Sequence, residues 1–224
     1  MVSLSFAEEN YLKAIYHLSN GGENDVSTNS LAESINTKAA SVSDMIKKLA
    51  NKKLISYEKY RGVNISSIGK LTALNVIRKH RLWETFLVEK LGFNWDEVHD
   101  VAEQLEHIKS PLMIQRLDEF LAHPKYDPHG DPIPNENGIF KAKSQIPLSQ
   151  VLTGKSGVIV SVKNSNSALL KYLNKIGAYL GAKVKILDKV EFDNSLEILI
   201  DNKTRVSISS TVSKNILIAE KNRL

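Results

Sequence analysis

The sequence contains no cysteine, so it offers neither a disulfide framework nor the thiolate ligands of zinc fingers and iron–sulfur clusters. It has no apolar run near the roughly 18 residues of a membrane span. It also lacks a basic start followed by an apolar signal core, so export is not indicated and a cytoplasmic location is expected. Apolar residues make up 42% of the 224 positions, which is enough for one large or two ordinary globular domains.

Charge is present in near balance but is unevenly distributed. Residues 76–138 carry 7 Lys and Arg against 12 Asp and Glu, whereas residues 139–224 carry 14 basic and 6 acidic side chains. Residues 1–75 carry 9 basic and 7 acidic ones. A cation bound in the acidic middle would offset its repulsion, and the net charge of +5 is compatible with an anionic partner without identifying one.

The acidic middle also contains five of the six histidines, between residues 80 and 129. His80 and Glu84 are four residues apart and would share one helical face. A helix expected over 94–108 would carry a second set with helical spacing. That set is His99, Glu103, Glu106 and His107. Imidazole and carboxylate donors without thiolates favour Mn²⁺, Fe²⁺ or Zn²⁺, although a solvated charged face is the alternative. We interpret His123 and His129 as turn residues and not as metal ligands.

The N-terminal third predicts a winged helix-turn-helix. Apolar spacing and capping residues predict helices at 5–19, 28–36 and 39–51, followed by short strands at 54–57 and 63–66. A short helix, a turn and a longer helix with a small, hydroxylated start suit the major groove of DNA, and a basic hairpin tip suits the phosphate backbone. Without the hairpin, the two helices would fit an ordinary αα-hairpin equally well.

The residues expected to contact DNA follow from this interpretation. Base contacts are expected at the start of the third helix, from Lys38, Ala39, Ala40, Ser41, Ser43 and Asp44. Phosphate contacts are expected from Lys47, Lys48, Lys59 and Arg61.

The middle of the chain predicts a small helical domain. A helix from Ser67 to about residue 91 would be on the order of 35 Å long and could connect two domains. A further helix is expected over 110–122, because Ser110 can cap it and Pro111 suits its first position. This segment has little core of its own, so pairing with a second copy is expected. Four of the six prolines follow within residues 124–134 and indicate a domain boundary.

The C-terminal part changes to β-branched runs. Strands are predicted at 157–162, 183–187, 196–200, 205–209 and 215–220, with one helix at 167–176. Five short strands around a small helix predict a compact barrel of the SH3 type. The fold class is therefore α+β and multidomain. It comprises a winged helix-turn-helix over 1–73, an all-helical metal-binding and dimerisation domain over 74–140, and an SH3-like small β-barrel over 147–224.

Several runs of the sequence resemble a known family. They include EENYLKAIYHL, ASVSDMIKKLANKKLISYEKYRGV, RKHRLWETFL, HDVAEQLEH and HPKYDPHGDPIP, and they are similar to the iron- and manganese-dependent transcriptional repressors of the diphtheria toxin repressor (DtxR) and MntR type. The run GKSGVIVSVKNSNSALLKYLNKIGAYLGAKVKIL resembles the FeoA or SH3-like domain of many members. The resemblance covers nearly the whole chain.

The resemblance implies a repressor of metal-ion homeostasis and not an enzyme. Such a protein binds a palindromic double-stranded operator as a metal-activated homodimer. The implied cofactor is Mn²⁺ or Fe²⁺, with Zn²⁺ or other divalent ions as alternatives in vitro. Neither a membrane nor a small-molecule substrate is expected as a partner.

The resemblance also implies two metal sites. One matches His80, Glu84 and His99, and the other matches Glu103, Glu106 and His107, completed on the first helix by Asn10. Glu103 follows the manganese-type pattern, since iron-type members have Cys there. Asn10 stands where the family usually has Met or Asp, and its neutral amide oxygen is a weaker donor. The third-domain ligands of iron-type members have no clear match here, with Asn164 and Ser167 nearby.

Two other function classes remain open from the residues. Di-metal oxidases use Glu-x-x-His motifs from two helices of a bundle, but only Glu103, Glu106 and His107 approach that pattern here. The sequence also lacks a nucleophile elbow, a phosphate loop and a His-Glu-x-x-His motif. In the other alternative, the barrel docks a protein or proline-rich segment and the metal is only structural. Chelator-resistant metal with metal-independent DNA binding would favour that alternative.

Overall fold

The computed structural model describes residues 4–58, 61–141, 143–163 and 166–220. Their buried apolar side chains form three separate cores, one for each third of the chain. The predicted α+β multidomain class is confirmed by this arrangement. No helix in the described part of the chain is long and apolar enough to cross a membrane.

The N-terminal region is the predicted winged helix-turn-helix. Its elements are α1 (Phe6–Leu18), α2 (Thr28–Ser34), α3 (Ala39–Asn51), β1 (Ile55–Glu58) and β2 (Gly62–Ile65). Ser5 caps α1 through a capping box with Glu8, while Leu12 and Ile15 point into the core. Strands β1 and β2 pair antiparallel from Ile55 opposite Ile65. Lys59, which was predicted to contact phosphate, lies outside the described residues.

Helix α4 (Ser67–Leu91) links the first two cores, as the sequence predicted. The Ser66 side chain caps its start, and Gly92, in the left-handed conformation with φ 72°, ends it. Ala73 packs in the N-terminal core, whereas Leu82 packs in the helical core. The helix therefore carries its C-terminal residues, including His80 and Glu84, into the second domain.

Helices α5 (His99–Leu105) and α6 (Pro111–Phe120) complete the helical core. Helix α5 is shorter than the predicted 94–108. Its start is delayed because the backbone and side-chain amides of Asn94 donate to the Glu97 carboxylate and form a turn. Trp95, within this turn, donates through Nε1 to Asn174 in the C-terminal domain at 2.8 Å.

The C-terminal domain is a six-stranded sheet in the order β3-β8-β4-β5-β6-β7, with antiparallel neighbours. Its elements are β3 (Ile146–Pro147), β4 (Ser156–Val162), α7 (Ser167–Ile176), β5 (Lys183–Lys189), β6 (Leu196–Ile200), β7 (Thr204–Ile208), α8 (Ser210–Asn215) and β8 (Ile216–Glu220). Helix α7 buries Leu170 and Leu173 in the core of the sheet. Strand β3 and helix α8 were not predicted from the sequence.

The proline-rich segment joins the helical domain to this sheet. The carbonyl of His129 accepts from the Val162 amide of β4 at 3.1 Å. Gly130 has φ 84°, and a Cβ there would lie 2.0 Å from the Val160 carbonyl oxygen. Only glycine therefore permits this close approach. The docking places the His129 side chain beside α4.

Candidate metal sites and nucleic-acid interface

Helices α4 and α5 bring together the first predicted ligand set. His80 and Glu84 are one turn apart on α4, and both are buried. Nε2 of His80 lies 3.0 Å from Oε1 of Glu84, and Nδ1 of His99 lies 3.6 Å from the same oxygen. His99, at the start of α5, is about half exposed. This arrangement offers two imidazoles and a carboxylate beside a solvent-accessible edge.

The second predicted set lies where the end of α5 meets α1, but its Glu103 groups with His80 and His99 of the first set, the donor atoms of these three residues lying within 4.8 Å of one another. Nε2 of His107 lies 3.7 Å from Oε1 of Glu106, whose side chain is fully buried. Nδ1 of His107 is 2.6 Å from Oε2 of Glu9 on α1. A carboxylate partner on one ring nitrogen is the usual support for a metal-binding histidine, because it orients the other nitrogen toward the ion. Glu9 was not singled out from the sequence.

Lys13, one turn after Glu9 on α1, contacts both carboxylates of this set. Its Nζ lies 2.6 Å from Oε1 of Glu103 and 2.7 Å from Oε1 of Glu106. The carboxylates thus face a positive charge supplied by the chain. Helix α1 of the first domain and helix α5 of the second are thereby joined through charged groups.

The side chain of Asn10 indicates whether a cation fits the second ligand set. Its side-chain oxygen Oδ1 is buried and has no hydrogen-bond partner among the described residues. Such an orphaned acceptor costs about 1–3 kcal/mol. Asn10 is three residues before Lys13 and shares its side of α1. A hard divalent cation accepts amide and carboxylate oxygens together, so the donor set fits such an ion.

Glu106 connects the two ligand sets. Its Oε2 is 2.6 Å from Nδ1 of His80, which also contacts Glu84. Burial opposes protonation of His80, but its hydrogen bonds to Glu106 and Glu84 raise its pKa to about 9. Burial favours the neutral form of Glu106, yet His80 and Lys13 hold its pKa below the ordinary value. The Glu106 carboxylate is therefore ionised, as a metal ligand requires.

A third group, not predicted from the sequence, comprises Glu84, Asp127 and His129. All three are buried, and each offers a donor atom within 4.8 Å of the others. Nδ1 of His129 lies 3.6 Å from Oε2 of Glu84, while its Nε2 lies 2.7 Å from the Trp95 carbonyl oxygen. This carbonyl contact orients Nδ1 toward the carboxylates.

The charges of this third group are also tuned by burial. Burial and the charges of Glu84 and Asp131 raise the pKa of Asp127 to about 7. Burial opposes protonation of His129, but Glu84 raises its pKa to about 9. His129 does lie in a turn, yet the prediction that it is only a turn residue missed its buried imidazole. The sequence signal for this arrangement was the Asp-Pro-His-Gly run at residues 127–130, because its glycine permits the tight turn that buries the His129 side chain.

The other histidine interpreted as a turn residue, His123, lies in an exposed turn and contacts Asp118 at 2.9 Å. Of the two barrel positions near the family's third-domain ligands, Asn164 lies outside the described residues. Ser167 is exposed at the start of α7. A ligand from the barrel is therefore not assigned.

The predicted DNA-contacting residues of α3 are exposed along the length of the helix. All eight predicted residues of this helix and its cap are exposed, namely Lys38, Ala39, Ala40, Ser41, Ser43, Asp44, Lys47 and Lys48. Lys38 is the N-cap and makes no side-chain capping bond, so first-turn amides are free of a side-chain acceptor. Such amides can bind phosphate. Arg61 of the wing is 72% exposed and lies 3.2 Å from Glu58.

Three family models match successive parts of the chain. The iron dependent repressor N-terminal DNA binding domain matches residues 3–63. The iron dependent repressor metal binding and dimerisation domain matches residues 66–135, and the FeoA domain matches residues 146–220. These matches follow the three cores of the fold.

Individual proteins show the same similarity. The iron-dependent repressor IdeR of Mycobacterium leprae is 33% identical over 126 residues, which are 56% of this chain and 54% of that protein. The match thus spans about half the length of this curated relative. A solved structure of a manganese-dependent transcriptional repressor in complex with manganese is 34% identical, with a TM-score of 0.86 over 95% of this chain and 99% of that one. The manganese regulator SloR is 33% identical, with a TM-score of 0.76 over 96% and 98%.

Proposed function

Because the chain belongs to the iron-dependent repressor family, we propose that it is a transcriptional repressor of metal-ion homeostasis that acts in the cytoplasm. It binds a palindromic operator as a homodimer activated by Mn²⁺ or Fe²⁺. The observation that carries this proposal is the meeting of α1 and α5 at the second ligand set. An ion held there would link the DNA-binding domain to the helical domain.

The choice of ion follows from the donor atoms. Asn10, Glu103 and Glu106 offer oxygen, and His107 offers an imidazole nitrogen, a set that suits Mn²⁺ or Fe²⁺. Relatives named for either iron or manganese support the same pair of ions. Zn²⁺ is expected to bind in vitro, since imidazole and carboxylate are also its ligands.

Each ligand set has a distinct role in this proposal. We assign one ion to the primary set, defined as Asn10, Glu103, Glu106 and His107, and another to His80, Glu84 and His99. When bound, an ion supplies the positive charge that holds carboxylates of separate helices together. Glu9 orients His107, and the hydrogen bond between His80 and Glu106 couples the two sets.

Glu84 is shared with the third group, so Asp127 and His129 could hold a further ion or take part in the His80 site. Metal analysis of His129→Ala tests this assignment. The variant should bind at least one ion fewer, or bind one ion at least about tenfold more weakly. His123→Ala, which changes an exposed histidine, is the matched control. Equal metal content and affinity in both variants would remove His129 from the ligands.

The metal would act on DNA binding through domain placement. In a dimer, two α3 helices about 34 Å apart could enter successive major grooves. An ion that binds the DNA-competent arrangement about 100-fold better shifts the equilibrium by about 2.7 kcal/mol. The residues Lys38, Ala39, Ala40, Ser41, Ser43 and Asp44 would then contact bases, with Lys47, Lys48, Lys59 and Arg61 on phosphates.

The homodimer would use exposed apolar residues of the helical domain. These are Leu91, Leu112, Met113 and Phe120, with exposed fractions of 57%, 61%, 43% and 63%. Phe120 packs on Phe86 of α4, with ring centroids 6.1 Å apart, so α6 and the second half of α4 form a continuous surface. An exposed apolar surface of this kind is typical of a protein interface.

Fluorescence anisotropy with purified protein tests the proposed function. A family-type palindromic duplex and a scrambled duplex are titrated with chelator, Mn²⁺, anaerobic Fe²⁺ and Zn²⁺ in turn. Operator-selective binding that requires Mn²⁺ or Fe²⁺ is the expected result. Equal operator binding in chelator would overturn metal activation while leaving the winged helix as a DNA-binding element.

A further inference from the structure

Lys13 occupies an unusual position for a lysine near candidate metal ligands. Its Nζ contacts three carboxylate oxygens, at 2.6 Å from Glu103 and at 2.7 and 2.9 Å from the two oxygens of Glu106. The Lys13 side chain is 16% exposed, and Glu106 is fully buried. The ammonium group therefore occupies the space between the two carboxylates that a shared ion would need.

The charges around Lys13 explain why it stays there. Glu103 and Glu106 both reach one ammonium group, so without it the buried carboxylate of Glu106 would face the partly exposed carboxylate of Glu103. Such a pair is costly unless a cation compensates it. Glu9 is engaged by His107 at 2.6 Å and lies 3.8 Å from Lys79. No other lysine or arginine in the described part of the chain lies within 4.0 Å of Glu103 or Glu106, although His80 contacts Glu106 at 2.6 Å.

We propose that Lys13 is a resident cation of the primary metal set, and that it must withdraw before one ion can bind Glu103 and Glu106 together. This inference rests on the proposed function. Lysine is suited to the role because its ammonium is a compact charge on a flexible stem. The remaining exposure of Lys13 provides a route toward solvent.

Lys13 would affect both metal affinity and the contact between α1 and α5. A divalent ion competes with an internal charge, so Lys13 raises the metal concentration at which the protein responds. In the metal-free protein, Lys13 also joins α1 to α5, because it belongs to the DNA-binding domain and its partners belong to the helical domain. Metal binding then replaces an existing link between these helices with a stronger one.

Isothermal titration of Mn²⁺ into the full-length Lys13→Met variant tests the competition. Removing the ammonium should strengthen Mn²⁺ binding at one site at least about tenfold. Lys13→Arg keeps the positive charge and should bind Mn²⁺ no more tightly than the unmodified protein. Lys171→Met, which removes an exposed charge from α7, is the matched control and should leave the affinity unchanged. An unchanged or weaker affinity in Lys13→Met would overturn the proposal.

Thermal unfolding provides a second readout. Metal-free Lys13→Met should unfold at a lower temperature than the unmodified protein, and saturating Mn²⁺ should remove the difference. An equal loss of stability with and without Mn²⁺ would mean that Lys13 is only structural. If Lys13→Met does not fold, Lys13→Gln is compared in the same two measurements.

The same data separate this inference from the proposed function. If the unmodified protein binds the operator only with Mn²⁺, but Lys13→Met and Lys13→Gln have its Mn²⁺ affinity, only the role of Lys13 is wrong. If the unmodified protein binds no Mn²⁺ or binds the operator equally in chelator, the proposed function itself is wrong.

Discussion

Oε2 of Glu106 lies 2.6 Å from Nδ1 of His80, and this buried contact joins two ligand sets that are separate in the sequence. Glu106 closes α5, whereas His80 lies in α4. A side chain shared in this way makes the charge of one set depend on the occupancy of the other. The two candidate sites therefore form one network and should not behave independently.

Glu106→Gln is expected to weaken Mn²⁺ binding at both sets. The amide removes a charged ligand from the primary set and the ionised partner of His80 from the other. Isothermal titration should show at least about a tenfold loss at each site. Glu89→Gln, which changes an exposed carboxylate of α4, should leave both affinities unchanged. One site with its original affinity in Glu106→Gln would show that the sets are independent.

The stability of the metal-free protein should fall as pH rises from about 6.5 to about 9. The pKa values of His80 and His129 are raised to about 9 in the folded protein, against about 6.5 in an unfolded chain. Their stabilisation is therefore complete below pH about 6.5 and is lost through the folded pKa. Thermal melts in chelator between pH 6 and 9.5 measure this loss.

Mn²⁺ affinity should rise over the same pH range, because the ion displaces protons from these histidines. Titrations in two buffers of different ionisation enthalpy would detect the released protons. The pH profile should persist in His123→Gln, whose imidazole is exposed. A constant metal affinity between pH 6.5 and 9 would contradict this account.

Arg61→Ala is expected to weaken binding to all duplexes by a similar factor. The side chain is exposed on the wing and would contact phosphate, so its loss should lower the slope of log affinity against log salt by roughly one. Arg205→Ala is the control, since Arg205 is 67% exposed, pairs with a glutamate and lies in the C-terminal domain, away from the wing and the proposed dimer surface. It should not change DNA binding. A changed sequence preference in Arg61→Ala would assign the wing a base contact.

Phe120→Glu is expected to shift the protein from dimer to monomer. A carboxylate in the apolar surface of α6 would be desolvated at the proposed interface. Sedimentation velocity at micromolar concentration measures the change. Phe192→Glu alters an aromatic residue that is 97% exposed in the C-terminal domain and should remain dimeric. A dimeric Phe120→Glu would place the interface elsewhere.

Much of the fold could be predicted because local signals and burial agree. The apolar spacing of α3 and α4 and the capping serine of α6 locate these helices to within two residues. Helix α5 was predicted too long, because Asn94 and Glu97, which are three residues apart, form a separate turn before the helix begins at His99. Strand β3 has only two residues, too few for any periodicity.

The candidate site was predicted only in part, because some of its contacts follow from local helical spacing and others join residues that are far apart in the chain. His80 and Glu84, or His99 and Glu103, have the four-residue spacing of one helical face, so their proximity follows from local structure. The link from Lys13 to Glu103 spans 90 residues and depends on the packing of α1 against the helical domain. His129 becomes a candidate ligand only when Gly130 docks on β4.

The central claim, that metal and operator binding are coupled, is tested most directly by measuring Mn²⁺ affinity with and without operator DNA. Binding linkage requires that the operator raise Mn²⁺ affinity by the same factor by which Mn²⁺ raises operator affinity. We expect a factor of about 100 in both directions with the operator, and a much smaller one with a scrambled duplex. An operator that leaves Mn²⁺ affinity unchanged would contradict metal activation, however tightly the ion binds.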